Sequence, residues 1–219
     1  MSDPRPARQT HQLGQERKPL ALVVCGALMK EAKQVADKRG WSVEFYGVPA
    51  RHHTQPRRIV ESVESMLDRL ERKYDKVVVV YGDCGTSGAL DQLLEKRGVS
   101  RIPGPHCYEM YAGASFASLT HDRAGTYFIT DYLVRHWETT VLADTDPKWR
   151  DSYTATMFAG FERMVYLQQE PNDALERKAE EIAQSVGLPL EVQSVGLGAL
   201  EERLVEVVEG TRRTWSQLR

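Results

Sequence analysis

Three cysteines, Cys25, Cys84 and Cys107, carry the most telling chemistry in this chain of 219 residues. An odd number cannot close a disulfide framework, and a cytosol keeps thiols reduced, so reduced thiols or thiolate ligands are the readings to weigh. Each stands beside glycine, proline or histidine and outside any apolar run. His106 directly precedes Cys107, and His52 and His53 share a proline-bounded loop with Arg51. Soft thiolates together with imidazole suit zinc, which takes four ligands in structural sites and leaves one position open in catalytic ones. Three cysteines could equally hold an iron–sulfur cluster with one iron open to substrate. The candidate metal ligands are therefore Cys25, His53, Cys84, His106 and Cys107. No CxxC pair is present, so the signal is one of position along the chain.

Other readings of the same residues stay open. Cysteine is among the most buried residue types and often serves as a small hydrophobe. A metal-free nucleophile would centre on Cys84, in a turn that feeds a helix N-terminus. Asp83 would then be an acid–base partner with His53 or His106, although its charge opposes thiolate formation unless it points away. Glu109, two residues beyond Cys107, is a candidate general base or orienting carboxylate. The glycine-bearing turn 82–88, with Gly85 and Thr86 foremost, is where a cofactor phosphate would be cradled, though neither a GxGxxG fingerprint nor a Walker lysine is present. Arg51, Arg57 and Arg58 beside the paired histidines are either a solvated surface or a subsite for an anionic group. Tyr108, Tyr111 and Phe116 follow Cys107 at near-helical steps and read as core more readily than as pocket lining. His11, His121 and His136 read as surface or structural.

The elements that must position these groups follow from the hydrophobic pattern. Residues 20–24 form a continuous apolar run, the signature of a strand buried on both faces, and 28–39 a helix closed by Gly40. A strand over 41–48, an amphipathic helix through Ile59, Val63, Leu67 and Leu70, and the Val77–Val80 strand come next. A helix through Leu90 and Leu94 precedes a short strand near 99–102. Further on we expect a strand over 126–130, a helix over 131–137, a long helix over 147–169, a helix over 173–186, a strand over 188–192 and a helix over 199–208. Alternating strands and helices predict an α/β fold: a mostly parallel, Rossmann-like three-layer sheet with helices on both faces and a helical C-terminal portion. The expected organisation is a disordered leader over 1–19, one domain over 20–210 and a tail over 211–219. All five candidate ligands then fall at strand exits. In a parallel sheet these share one edge, with neighbouring strands about 4.8 Å apart, and ligands bind there.

With 29 Lys and Arg against 31 Asp and Glu, the chain has no global field to attract nucleic acid. No window approaches the roughly 18 to 20 consecutive apolar residues of a membrane span, and the leader lacks the apolar segment of a secretory signal. A soluble, cytoplasmic protein acting on a small-molecule substrate is expected. The helical portion beyond residue 147 leaves room for a homo-oligomer.

Several motifs carry a family resemblance: Cys25-Gly-Ala-Leu28, Val48-Pro-Ala-Arg-His-His53, Tyr81-Gly-Asp-Cys-Gly-Thr86, Arg101-Ile-Pro-Gly-Pro-His-Cys-Tyr108 and Gly125-Thr-Tyr-Phe-Ile-Thr-Asp131. Over about residues 20–205 the chain resembles the domain-of-unknown-function family 1638. The resemblance implies that Cys25, His53, Cys84, His106 and Cys107 belong to the family pattern. It also implies association with corrinoid-dependent methyltransferase systems, hence a corrinoid protein or methyltransferase as a possible partner. The family's second loop often reads Leu-His-Asn where this chain has His52-His53-Thr54, so either imidazole could serve. The expectation is a metalloenzyme of one-carbon or methyl-group metabolism, against two rivals: a metal-free cysteine enzyme, and a non-catalytic accessory of a corrinoid system.

Overall fold

The computed structural model describes residues 18–120 and 125–210. Most of the expected leader, the tail and His121 lie outside the described residues. The first strand, β1 (Lys18–Cys25), holds a fully buried run from Ala21 to Val24. The chain turns through a short 3-10 segment into α1 (Met29–Arg39), which Gly40 ends in the left-handed conformation with its N–H bonded to the carbonyls of Ala36 and Asp37. The strand β2 (Glu44–Val48) is half exposed, as an edge strand must be, and α2 (Pro56–Leu70) starts on proline and buries Ile59, Val63, Leu67 and Leu70 along one stripe. Then come β3 (Tyr74–Val80), α3 (Ala89–Arg97) and the two-residue β4 (Ser100–Arg101). These four strands make one parallel sheet in the order β2-β1-β3-β4.

Two short helices, α4 (Cys107–Ala112) and α5 (Ser115–Thr120), lead to a second parallel sheet. It is built from β5 (Thr126–Thr130), α6 (Asp131–Arg135), α7 (Trp137–Thr140), α8 (Arg150–Phe158), β6 (Arg163–Gln168), α9 (Asp173–Ser185) and β7 (Leu190–Ser194), in the strand order β5-β6-β7. The final helix, α10 (Leu200–Glu209), returns to pack on α1 and β3 of the first sheet. Its end is tied there by the Lys76 ammonium, which donates to the carbonyls of Val207 and Val208 at 2.8 and 2.7 Å.

The α/β class, the parallel strands and the flanking helices match the expectation. The long helix expected over 147–169 is corrected. A 3-10 turn at Pro147–Trp149 and the nine-residue α8 occupy its first half, and its second half is β6. Every residue of β6 is buried, so the run Met164-Val-Tyr-Leu167 is a central strand that needs apolar cover on both faces. A short apolar run does not by itself distinguish strand from helix, and Gly160, just past the end of α8, is the break that the helical periodicity obscured. The helix expected over 131–137 likewise divides into α6 and α7 at His136.

The two sheets share a core. Phe128 of β5 and Val165 and Leu167 of β6 join the apolar cluster of the first sheet, while Ile129, Met164 and Tyr166, on the opposite face, pack with Trp137, Phe158 and the buried side of α9. Helix α4 lies against both β5 and β6.

Candidate functional site

The exits of β1, β2 and β3 crowd together because glycines allow backbone to meet backbone. Cys25 ends β1 in register with Val48 of β2. A Cβ on Gly26 would stand 3.3 Å from the Val48 carbonyl oxygen and the Ala50 nitrogen, which brings the 3-10 turn Ala50–Thr54, carrying Arg51 and His53, against the Cys25 loop. At the β3 exit the fit is tighter. A Cβ on Gly82 would sit 2.7 Å from the His106 Cα, closer than real atoms approach, so only glycine lets this turn lie on the segment that carries His106 and Cys107. Two hydrogen bonds fasten the contact: the Asp83 N–H donates to the Gly104 carbonyl at 3.2 Å, and the Cys84 N–H to that of Pro105 at 2.7 Å. Cys84 itself is held at φ 46°, a left-handed conformation that side chains other than glycine rarely adopt and that clusters at functional sites.

The result is a cavity of about 330 Å³ between the two sheets. From the first half it is lined by all three cysteines together with Tyr81, His53, Arg51 and Tyr108. Its opposite wall comes from the second half: Tyr127 and Thr130 of β5, Tyr132 and Leu133 of α6, Thr140 and Val141 at the end of α7, and Tyr153 and Met157 of α8.

Cys25 and Cys84 are buried and Cys107 half-buried. Burial pushes the Cys25 thiol up despite backbone hydrogen bonds and the nearby Tyr81 hydroxyl. Cys84 is pushed up to about 12, first by burial and then by the charges that Cys25 and Asp83 would place beside it. Cys107 rises well above the ordinary value, again through burial and then through Cys25 and Cys84. The three sulfurs thus lie within electrostatic reach of one another, and each opposes ionisation of the others. Each shift runs in the direction that favours the neutral thiol over the thiolate.

Tyr81 is fully buried and its hydroxyl has no hydrogen-bond partner of good geometry, although it faces the Cys25 thiol. The three expected histidines separate into different roles. His53 stands at the solvent-reached mouth of the cavity, where crowding by the protein lowers its pKa. His52 turns away, its Nδ1 3.2 Å from the Ser62 hydroxyl. His106 caps α4, its Nδ1 accepting the Glu109 N–H at 3.4 Å while its ring packs edge-on against Phe116. Burial, and then the neighbouring His53, lowers the His106 pKa.

The remaining candidates lie outside the cavity lining. Asp83 accepts from the Thr86 hydroxyl at 2.7 Å and from the N–H groups of Gly88 and Ser87 at 2.9 and 3.2 Å. Burial raises its pKa, and these hydrogen bonds outweigh burial to hold the carboxyl below the usual range. They also commit the turn's donors internally: the Thr86 hydroxyl and the N–H groups beyond Gly85 serve Asp83. Glu109 is gripped by the Arg203 guanidinium of α10, Oε2 at 2.5 Å from one nitrogen and Oε1 at 2.6 Å from the other. The helix that receives a cysteine at its start is α4, with Cys107 as first residue, while the turn 85–88 separates Cys84 from α3.

Three thiols, an imidazole at the mouth and the Tyr81 hydroxyl face one space. Among the described residues, no three His, Cys, Asp or Glu side chains stand close enough to hold a single ion.

The motif reading did not single out Tyr81 or the wall formed by Tyr127, Thr130, Tyr132 and Tyr153. For Tyr81 a signal existed, since a residue with a polar tip directly follows four consecutive valines and so had to be buried at a strand exit. In the wall, Tyr127 and Thr130 fall within the Gly125–Asp131 motif, whereas Tyr132 and Tyr153 lie outside every motif and are placed only by how the second sheet meets the first.

No curated protein matches the chain. A family model described as a protein of unknown function, DUF1638, matches residues 48–204, a segment that includes His53, Cys84, His106 and Cys107 and begins after Cys25. The chain belongs to the DUF1638 family.

Proposed function

We propose that this protein is a thiolate metal centre built into a small-molecule cavity, with Cys25, Cys84 and Cys107 as ligands and His53 at the entrance. One observation carries the reading: three thiols from three separate strand exits line the same buried space. The donor set leaves one zinc ion and an iron–sulfur cluster both open. In a cluster each thiolate binds its own iron, so the sulfurs need not converge within reach of one ion. Held by Cys25, Cys84 and Cys107, such a group would supply an electron-accepting or Lewis-acidic metal to the cavity. The protein's own residues bury it, admit substrate past Arg51 and His53, and present Tyr127, Tyr132 and Tyr153 to the substrate body. Methyl-group or other one-carbon chemistry is the reaction class assigned to this site on the strength of the family resemblance, with a corrinoid protein as the partner to seek.

Elemental analysis and an absorption spectrum of protein purified without oxygen test this. A cluster gives several irons per chain and a broad band at about 400 nm, while zinc gives a colourless protein. Less than about 0.2 metal per chain, after reconstitution with iron and sulfide as well, removes the reading. The rival reading, a free Cys84 nucleophile, has burial and the Asp83 charge against it.

A further inference from the structure

The charge pattern and the shape of the cavity together specify a ligand. Among the described residues that line it, Arg51 is the only one with a permanent charge, and no carboxylate or lysine ammonium faces the space. The Arg51 guanidinium has no hydrogen bond or ion pair among the described residues, while its carbonyl accepts from the Thr54 hydroxyl at 2.9 Å. The field at this loop is positive. The pKa of the neighbouring His52 is lowered by burial and then by the charges of Arg58 and Arg51, against a smaller opposing effect of Glu61. Burial likewise lowers the pKa of His53 and favours its neutral ring, which leaves Arg51 as the cation at the mouth of a chain whose net charge is -2.

The walls are aromatic and held in place from behind. Tyr108 stacks on Phe128 with ring centroids 5.7 Å apart, and Tyr127 meets Phe158 and Phe161 edge-on at 4.8 and 5.1 Å. Rings fixed in this way favour a flat aromatic partner, and a volume of about 330 Å³ lies at the small end of ligand pockets. Deeper inside, no described side chain offers a counter-charge, so a ligand charge carried there would be desolvated without compensation. The ligand's charge therefore belongs at the mouth, where the planar fork of Arg51 matches a carboxylate. We propose that the cavity binds a small aromatic carboxylate, with its carboxylate paired to Arg51 and its ring packed against Tyr108 and Tyr127 beside the three thiols. The inference rests on the reading of this cavity as a small-molecule site and is independent of any metal that the thiols bind.

Titration calorimetry on the full chain at low salt tests this, with benzoate, phenylacetate and 3-phenylpropionate as probes, each set against its own uncharged amide. The tightest of the three acids binds at least about tenfold more strongly than its amide, and Arg51→Gln weakens the acid about tenfold while leaving the amide within about twofold. Arg51 is exposed, so the variant keeps the fold, and Arg51→Lys restores part of the lost affinity. In the parent protein the bound acid also slows alkylation of Cys25, Cys84 and Cys107 by iodoacetamide. Equal binding of acid and amide, or a preference for the acid that survives Arg51→Gln, overturns the inference while leaving the cavity a small-molecule site. Unslowed alkylation places the probe elsewhere and overturns it as well. Failure of all six compounds to bind at about 10 mM overturns the small-molecule reading and this inference together.

Discussion

The two sheets contribute differently to the cavity they share. The first supplies three thiols and an imidazole, on loops locked by backbone contacts so close that glycine is required at 82. The second supplies no cysteine: Tyr127 and Thr130 come from β5, and tyrosine, threonine, leucine, valine and methionine side chains from the short helices. The thiols come from strand exits of one sheet, and the facing wall from β5 and the helices of the other. That division resembles other parallel sheets, where chemistry gathers at the carboxyl edge and specificity is set by whatever covers it.

The largest effect is expected where the halves depend on each other. Leu167 belongs to β6 but is fully buried in the core of the first sheet, so Leu167→Ala costs about 2–5 kcal/mol. Denaturant unfolding checks this, and a single transition that shifts as a whole shows the shared core to be cooperative. Two transitions, of which only one shifts, would mean that the sheets unfold independently.

A pair of glycines sharpens the contrast between tight and loose regions. Gly82→Ala forces a Cβ to within 2.7 Å of the His106 Cα and costs about 1–3 kcal/mol. It also separates Cys84 from Cys107 and reduces metal uptake. Gly160→Ala, in the second half, meets nothing within 4 Å and stays within about 0.5 kcal/mol of the parent. Equal costs at the two positions would remove the distinction.

Between the halves, Glu31 of α1 is buried, and Asp131 of α6 lies within reach of its charge. Burial raises the Glu31 pKa, the Tyr111 hydroxyl and Lys30 lower it in part, and Asp131 raises it further. The folded-state pKa is therefore above the unfolded one. The stability that Glu31 contributes is complete below its ordinary value of 4.5 and is lost as pH rises through the folded-state value. Glu31→Gln should accordingly melt higher than the parent at pH 7, with the gap closing towards pH 4.5. A gap that does not change with pH would contradict this.

The smallest effect belongs to the exposed ion pair that also spans the halves. Lys30 and Glu170 meet at 2.6 Å, each side chain 46% exposed. Lys30→Ala changes stability by no more than about 0.5 kcal/mol, and high salt removes what difference exists.

Much of the first sheet was legible because its signals were local: the buried runs at 21–24 and 77–80, the amphipathic stripe of α2 and the glycine closing α1. The placement of Cys25, Cys84, Cys107 and His53 at one edge followed from that topology alone. The second sheet was harder to read. The run in β6 is as apolar as a buried helix segment, and only pairing with β5 and β7 on either side reveals it as a strand. Nothing near Glu109 in the sequence announces Arg203, 94 positions later, which claims both oxygens of this candidate base. The His106 Nδ1 serves as a helix cap, a function shared by many polar residues before a helix and so invisible as a motif.

Residue-resolved alkylation of the three cysteines, with and without reconstituted iron and sulfide, tests the central claim most directly. The account predicts that Cys25, Cys84 and Cys107 become protected together, to the same extent and at the same metal loading. Protection of one or two of them, with the third labelled as in the metal-free protein, would contradict a single centre built from three strand exits.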